Sequence, residues 1–512
     1  MLIKIGSALN IGLKTIAVDV EINIASRGLP GFDIVGLPSK AVDESKERVR
    51  TAIINSNIDF PARKITVNLA PADIPKEGSF YDLPIAIGIL CATIGFPVSE
   101  KSLFFGELSL DGNLRHTRGA LLLALFAKEA GFKQIFIPKA SANEAAIVPE
   151  IKVYPVETLS QLLAHLLNKK LLEPAKYNNS VCFGLDEHRV DFDMSEILGQ
   201  EQAKRAVEIA AAGGHNIFMV GSPGAGKTML ARALPGVLPP LQNPESLEVT
   251  KIYSVTGNIP AQGSLVRMPP FRSPHHTISQ VGLIGGGSNP SPGEISLAHR
   301  GVLFLDEFNE FPRSVLEALR QPLEDGVVSI ARSKARVSYP AEFMLVASSN
   351  SCPCGYLNHP KKACICSPRE ILKYKKRISG PILDRIDIYI EVPAVDIEEL
   401  SQDKPNLETS EDIRKRVEKA RKIQEQRFQG ESVYTNSEMK NKQIKKFCAL
   451  SGEVEKILHQ AGIMLQISAR SYYKMIKTAR TIADLENSQD IQASHMAEAL
   501  QYALPPKIYD RA

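Results

Sequence analysis

The octapeptide Gly221-Ser222-Pro223-Gly224-Ala225-Gly226-Lys227-Thr228 constrains this chain more than any other feature in it. It fits GxxxxGK[ST] and stands between Asn216–Val220, which reads as a strand, and Gly226–Leu234, which reads as a helix. Glycines let successive backbone N–H groups turn inward at a helix N-terminus, where they surround phosphates. Lys227 would reach the β and γ phosphates, and Thr228 would ligate Mg²⁺. Strand, glycine-rich turn and helix in that order start a parallel α/β domain, so a core that binds ATP and Mg²⁺ is expected.

Two further segments extend the site. Gly301-Val302-Leu303-Phe304-Leu305-Asp306-Glu307 reads as a buried strand ending in two acids. Asp306 can hold hydrated Mg²⁺ and Glu307 can polarise the attacking water, so hydrolysis is expected rather than binding alone. A third apolar strand, Phe343–Ala347, runs into Ser348-Ser349-Asn350. The Asn350 amide either orients water against the γ-phosphate or caps a turn.

At 512 residues the chain has room for about three domains, each with its own core. Hydrophobic residues at 44% and charged residues at 23% exclude bulk disorder. The formal charge of +4 is too small for a histone-like binder, so a nucleic-acid surface has to come from local clusters. The opening segment MLIKIGSALNIGLK lacks the unbroken apolar core of a secretory signal. The run from Leu83 to Phe96 contains Pro84 and is too short to span a bilayer. Seven Cys, four of them crowded between Cys352 and Cys366, suit a reducing cytoplasm better than disulfides.

Residues 1–168 alternate apolar runs (Thr15–Ile24, Lys64–Leu69, Ser102–Leu110, Lys133–Pro138) with helical stretches near Ala41–Asn55 and Ala120–Ala130, a mixed α/β domain. Residues 169–191 read as a linker. The range 192–395 holds the ATPase core, opening with a helix over Ile197–Ala212 and closing with a strand over Ile386–Val392. From 396 to 512 the pattern is helical only: Asp412–Phe428, Val454–Gly462, Ser468–Glu486 and Ile491–Tyr502.

Between Asp325 and Glu342 the sequence reads as a hairpin, with Arg332, Lys334 and Arg336 at alternate positions on one face. Such a stripe either follows a phosphate backbone or guards a solvated edge strand with charge. Lys361 to Arg377 adds seven basic residues against one acid, Glu370, a cluster that faces nucleic acid or water. Cys352-Pro353-Cys354 and Cys364-Ile365-Cys366 could bring four thiolates around one structural Zn²⁺ and pin an insertion, 352–366, that lacks a core of its own. Unliganded or redox-active thiols are the alternative, and His359 is a possible substitute ligand. His275 and His276 read as loop residues rather than metal ligands.

The words AAAGGHNIFMVGSPGAGKT from Ala210, FRSPHHTISQVGLIGGGSNPSPGEISLAHRGVLFLDE from Phe271, LRQPLEDG from Leu319 and SGPILDRIDI from Ser379 resemble the Mg-chelatase-like AAA+ ATPases of the ComM/YifB type, over essentially the whole length. The resemblance implies a ring-shaped homo-oligomer, a hexamer, with ATP sites between subunits and a C-terminal helical lid. It makes Asn350 sensor 1, Arg385 in ILDRID the finger given to the neighbour's ATP, and Arg470 in ISAR the lid-borne sensor 2; Arg377 is a rival to Arg385. Guanidinium forks suit phosphate oxygens.

The first domain is similar in fold to the proteolytic (S5-like) domain of Lon, through VNLAPADIPKEGSFYDLPIAIG and GELSLDGNLRHTRGALLLA. Aligning these words puts Phe80 at the serine position and Leu121 at the lysine position, so a noncatalytic domain is expected; Ser79 lies one residue away. The resemblance thus implies an ATP-driven motor on single-stranded or branched DNA, migrating branches during recombination of incoming DNA. The alternative is a protein remodeller or a magnesium- or cobalt-chelatase-like subunit acting on a partner. The DxSxS motif of chelatase partner proteins does not occur in this chain.

Overall fold

The computed structural model describes residues 2–177, 191–259, 265–287, 290–331, 336–357, 359–394, 407–465 and 467–504. They fall into two compact units that do not follow chain order: Met1–Leu185 with Asn243–Arg267 and Ala331–Tyr339, and Asp186–Gln242 with Met268–Ile330 and Pro340–Ala512.

The first unit is built on a seven-stranded mixed sheet in the order Gly31–Val35, Lys64–Ala70, Lys14–Ile24, Leu2–Ile11, Ser102–Phe104, Gln134–Pro138, Lys152–Val156. Lys14–Ile24 runs antiparallel to both its neighbours, and the other pairings are parallel. Alternation fixes which face is covered: Ile65, Val67 and Leu69 are buried and the residues between them are not. The longest apolar run of the sequence becomes the helix Asp82–Ile94, buried without interruption from Asp82 to Cys91. A helix apolar on all sides belongs inside a core.

Two expected elements are divided. Ser102–Leu110 breaks after Phe104, because the Gly106 N–H leaves the sheet for the Phe80 carbonyl, and Glu107–Leu108 pairs with Leu114–Arg115 instead. The expected helix Ile197–Ala212 begins at Glu201, because Gly199 turns the chain at φ 68°.

Asp82 carries the one carboxylate of that buried helix. It accepts from Arg48 Nε at 2.8 Å, Arg48 Nη2 at 3.1 Å and the Leu108 N–H at 3.2 Å. Burial pushes the Asp82 carboxyl above its usual range, with Arg48 pulling it back. Arg48→Ala leaves that charge without its partner and is expected to destabilise the first unit by about 3 kcal/mol. Urea denaturation of the full chain checks it, and a midpoint unchanged from wild type would remove the pair from the account of stability.

The second unit holds a five-stranded parallel sheet in the order Phe271–Arg272, Val302–Leu305, Met344–Ser349, Ile217–Gly221, Ile388–Val392. The C-terminal helices Ser410–Arg427, Gly452–Met464, Ala469–Leu485 and Ala493–Gln501 share one continuous core with it, where Val417, Ala420, Ile476 and Ala479 meet Val207, Ala210 and Leu230. These are the parallel α/β core and helical C-terminal region expected from the sequence. Among the described residues no helix is long and apolar enough to cross a membrane.

Candidate functional site

The carboxyl ends of the central strands of a parallel sheet form a crevice, and the chemistry-bearing residues converge there. Ile217–Gly221 delivers the glycine-rich loop, and the helix that follows, Lys227–Val237, starts from Gly226 at φ 89°. Gly221 admits no side chain: a Cβ there would lie 2.2 Å from the Val392 carbonyl oxygen. Lys227 Nζ donates to the carbonyls of Gly221 and Ser222, each at 2.8 Å, and to Asn350 Oδ1 at 3.2 Å. Burial holds the Lys227 ammonium down to about 8, opposed by the carboxylates of Asp306 and Glu307.

Thr228 Oγ1 donates to Asp306 Oδ2 at 2.8 Å, and the Ser348 hydroxyl donates to the other Asp306 oxygen. Hydroxyl and carboxylate together form a hard-oxygen pair suited to Mg²⁺, which needs only one or two protein ligands beside phosphate and water. Glu307, next in the chain, has a left-handed backbone at φ 52° and points outward, its carboxylate 3.4 Å from His276 Nδ1. Lys227 with Asn350 and Thr228 with Asp306 thus form two hydrogen-bonded pairs at the same strand ends. Sequence reasoning missed Ser348 and treated His276 as a loop residue; only their places beside Asp306 and Glu307 in space single them out.

Arg385 and Arg470 do not join those pairs. The Asn216 amide, at the amino end of the phosphate-loop strand, donates to the Arg385 carbonyl at 2.9 Å, and the Asp387 and Ile388 N–H groups donate to the Asn216 carbonyl. The backbone of Arg385 therefore lies at the opposite end of a five-residue strand from the phosphate loop, about 13 Å away. Its side chain donates to the Pro381 carbonyl and to Glu324, and its Nε has no partner. Arg470, at the start of the helix Ala469–Leu485, faces the same Glu324 carboxylate at 4.0 Å.

This edge is braced from below. Asp387 Oδ2 accepts the Asn216 N–H at 3.0 Å and lies 3.8 Å from His215 Nδ1. Burial alone would raise Asp387, but His215 and Lys474 hold it down at about 2. Lys474 in turn donates to the Ile386 carbonyl. Arg377, the rival arginine, is paired with Glu310 Oε2 at 2.6 Å and the Asn309 carbonyl at 3.2 Å.

Of the basic stripe, Arg332 and Lys334 lie outside the described residues. Arg336 is exposed on the strand Arg336–Pro340, whose Val337 and Tyr339 are buried; in the first unit, Val337 lies so close to Gly12 that a Cβ on that glycine would meet it at 2.2 Å. The basic stretch 361–377 contributes to a groove of about 650 Å³ where Arg313, Arg369, Lys373, Lys376 and Arg377 stand around Phe311. The four thiols of Cys352, Cys354, Cys364 and Cys366 converge within 4.8 Å of one another. His359 is not among them, its Nδ1 accepting the N–H groups of Lys361 and Lys362 instead.

In the first unit the Phe80 ring stacks on Phe105 at 4.4 Å, Leu121 is fully buried, and the Ser79 hydroxyl donates to Glu107.

Comparison with known proteins adds the family context. The chain matches the descriptions "Subunit ChlI of Mg-chelatase" over residues 20–141, "Magnesium chelatase, subunit ChlI" over 193–400, and the ChlI C-terminal region over 407–503. It is 42% identical to competence protein ComM of Haemophilus influenzae, covering 97% of this chain and 96% of that protein. It is 42% identical to the uncharacterized protein YifB of Escherichia coli, covering 96% and 95%. A shorter similarity, 26% identity over 147 residues, links 27% of this chain to 18% of a Lon protease from Rhizobium meliloti.

Proposed function

Because this chain belongs to the Mg-chelatase-like AAA+ family of ComM and YifB, we propose that it is an ATP-hydrolysing ring motor, a hexamer, that acts on single-stranded or branched DNA and migrates branches as incoming DNA recombines. The observation that carries the ring is the division of the site. Lys227, Thr228, Asp306, Glu307 and Asn350 gather at the carboxyl edge of the sheet, and Arg385 and Arg470 gather on one carboxylate at the amino edge. Arginines held behind a subunit's own phosphate loop serve the ATP of a neighbour.

ATP binds with its phosphates on the backbone of Gly221, Ser222, Pro223, Gly224, Ala225 and Gly226 and on Lys227, while Thr228 and Asp306 hold Mg²⁺. Glu307 polarises the attacking water and Asn350 orients it. Arg385 of the adjacent subunit supplies the transition-state charge, a contribution such arginines make in phosphoryl transfer generally. Arg470 acts beside it on the same γ-phosphate. With the neighbour's phosphate in place, Glu324 is released from both guanidinium groups, so hydrolysis around the ring is read out as repeated making and breaking of that contact.

DNA as the worked polymer is supported by the competence-protein relative, by the exposed Arg336 and by the five cations of the groove at Phe311. The first unit is noncatalytic, since Phe80 and Leu121 occupy the positions where Lon keeps nucleophile and base. The four convergent thiols are read as a structural Zn²⁺ site.

The test is ATP turnover with and without forked, single-stranded and four-way DNA at low salt, with Glu307→Gln as the inactive control. Branched DNA is expected to raise the rate several-fold. A rate indifferent to every DNA, in a protein that still forms rings, would move the reading to the alternative, remodelling of a partner protein or a magnesium- or cobalt-chelatase-like role with one.

A further inference from the structure

The segment from Ser351 to Cys366 has no helix or strand among its described residues, and Pro353, Pro360, Lys361, Lys362 and Ile365 face solvent. Among its described residues Cys352 is the one buried apolar side chain. The segment nevertheless abuts the phosphate site on two sides. Cys352 follows Asn350 by two residues, and the Asn350 amide oxygen receives the Lys227 ammonium at 3.2 Å. Ser351 Oγ donates to the carbonyls of Gly355 at 3.2 Å and Leu357 at 3.1 Å, closing a tight turn. At the tip of that turn Gly355 has φ 84°, and a Cβ there would lie 2.5 Å from both Cγ and Cδ of Pro223. Pro223 belongs to the phosphate loop, so the turn rests on that loop with no space for a methyl group.

Four thiols gather beside this turn. Cys352 Sγ is 3.4 Å from Cys354 Sγ and 3.6 Å from Cys364 Sγ, and Cys354 Sγ is 3.6 Å from Cys364 Sγ. Zinc bound to four thiolates at about 2.3 Å sets sulfur atoms about 3.8 Å apart, close to these separations. The Cys354 N–H also donates to Cys366 Sγ at 3.4 Å, a bond that favours a thiolate acceptor. Soft sulfur ligands with this spacing select Zn²⁺ over the hard Mg²⁺ of the nucleotide site.

We propose that one Zn²⁺ held by Cys352, Cys354, Cys364 and Cys366 clamps the Cys352–Gly355 turn against Pro223, and so sets the phosphate loop and Asn350 in the geometry that binds ATP. The clamp rests on the readings of the thiols as a zinc site and of Gly221–Thr228 as the ATP site. Four thiolates would complete the tetrahedral shell of the zinc and leave no open position on it, so its cysteines are positioning residues. Thiols are also the groups most open to oxidants and chelators, so the clamp makes ATP affinity responsive to zinc supply and thiol oxidation.

The experiment uses the full-length protein purified without added metal. Zinc is counted by inductively coupled plasma mass spectrometry, and affinity for a fluorescent ATP analogue is measured before and after stripping with a strong zinc chelator, then after adding back one equivalent of Zn²⁺. One zinc per chain is expected, with a roughly tenfold rise in the dissociation constant on stripping, reversed by zinc. Cys366→Ser should lose zinc and weaken ATP together, whereas Gly355→Ala should keep zinc and weaken ATP alone. A folded protein that binds ATP tightly with no zinc overturns the metal site. Zinc whose removal leaves ATP affinity unchanged overturns the clamp. Zinc on a protein that binds no ATP in any state overturns the nucleotide reading, and the clamp with it, while leaving the metal count standing.

Discussion

A chain carrying Arg385→Ala is expected to bind ATP as the wild type does and to hydrolyse it roughly a thousandfold more slowly. The expectation follows from where the strand puts it. Arg385 lies at the amino end of Ile217–Gly221 and the phosphate loop at the carboxyl end, so the guanidinium cannot reach its own chain's γ-phosphate. Its present partner Glu324 is half exposed and is left hydrated by the change, so folding should be little affected. Mixing distinguishes the two ways an arginine can act. Arg385→Ala chains retain a sound phosphate site, and Glu307→Gln chains retain a sound arginine. If the arginine is given to the neighbour, rings assembled from both regain turnover at the interfaces that combine the two intact halves. No recovery in rings shown to be mixed would count against the shared site.

The second large effect is expected at Lys227. Its ammonium is held by two loop carbonyls and Asn350, and burial has already lowered its pKa to about 8, so the site presents a cation that gains most when phosphate arrives. Lys227→Ala removes charge-assisted contacts with two phosphates and should weaken ATP by about 3 kcal/mol, roughly a hundredfold in Kd. Hydrolysis falls with it. Titration of a fluorescent ATP analogue measures the loss, and affinity within about threefold of wild type would mean that the loop backbone alone carries the phosphates.

The nucleotide side of the site was legible in the sequence because its residues sit at fixed offsets from strand ends. Asp306 and Asn350 each end an apolar run, and parallel strands bring such ends together. The choice of Arg385 came only from family resemblance, since nothing local separates it from Arg377 and in the structure each is paired with a carboxylate, Glu324 for one and Glu310 for the other. Partners that act through space, Ser348 on Asp306 and His276 on Glu307, carry no spacing signal at all. Helix boundaries in the last hundred residues were close, because caps such as Thr409 and Ser468 mark them. The helix Asp82–Ile94 lacked the two-sided pattern by which helices are recognised, being apolar all round.

Least visible was the membership of the helix Asn243–Thr256. Sequence order puts it within the ATPase range, yet it belongs to the first compact unit. There Ser254 hydrogen-bonds the buried Glu144, and the Ser254 carbonyl receives the Gly119 N–H. Leu247 and Leu265 pack on the cluster of Leu121 and Ile135. Periodicity tells which face of a helix is apolar, but not which of two cores will take it.

That return of the chain to its first unit bears on how the protein is made. A ribosome emits residues in order, and when residue 185 emerges the compact unit that begins the chain has all seven strands of its sheet but still lacks two of its pieces. Until Arg267 has been released, Glu144 has no Ser254 and the Leu121 cluster lacks Leu247 and Leu265; until Tyr339 has been, Gly12 lacks the Val337 that lies against it. The nascent first unit must wait, partly open, while the phosphate loop and both acids of the ATP site are synthesised behind it.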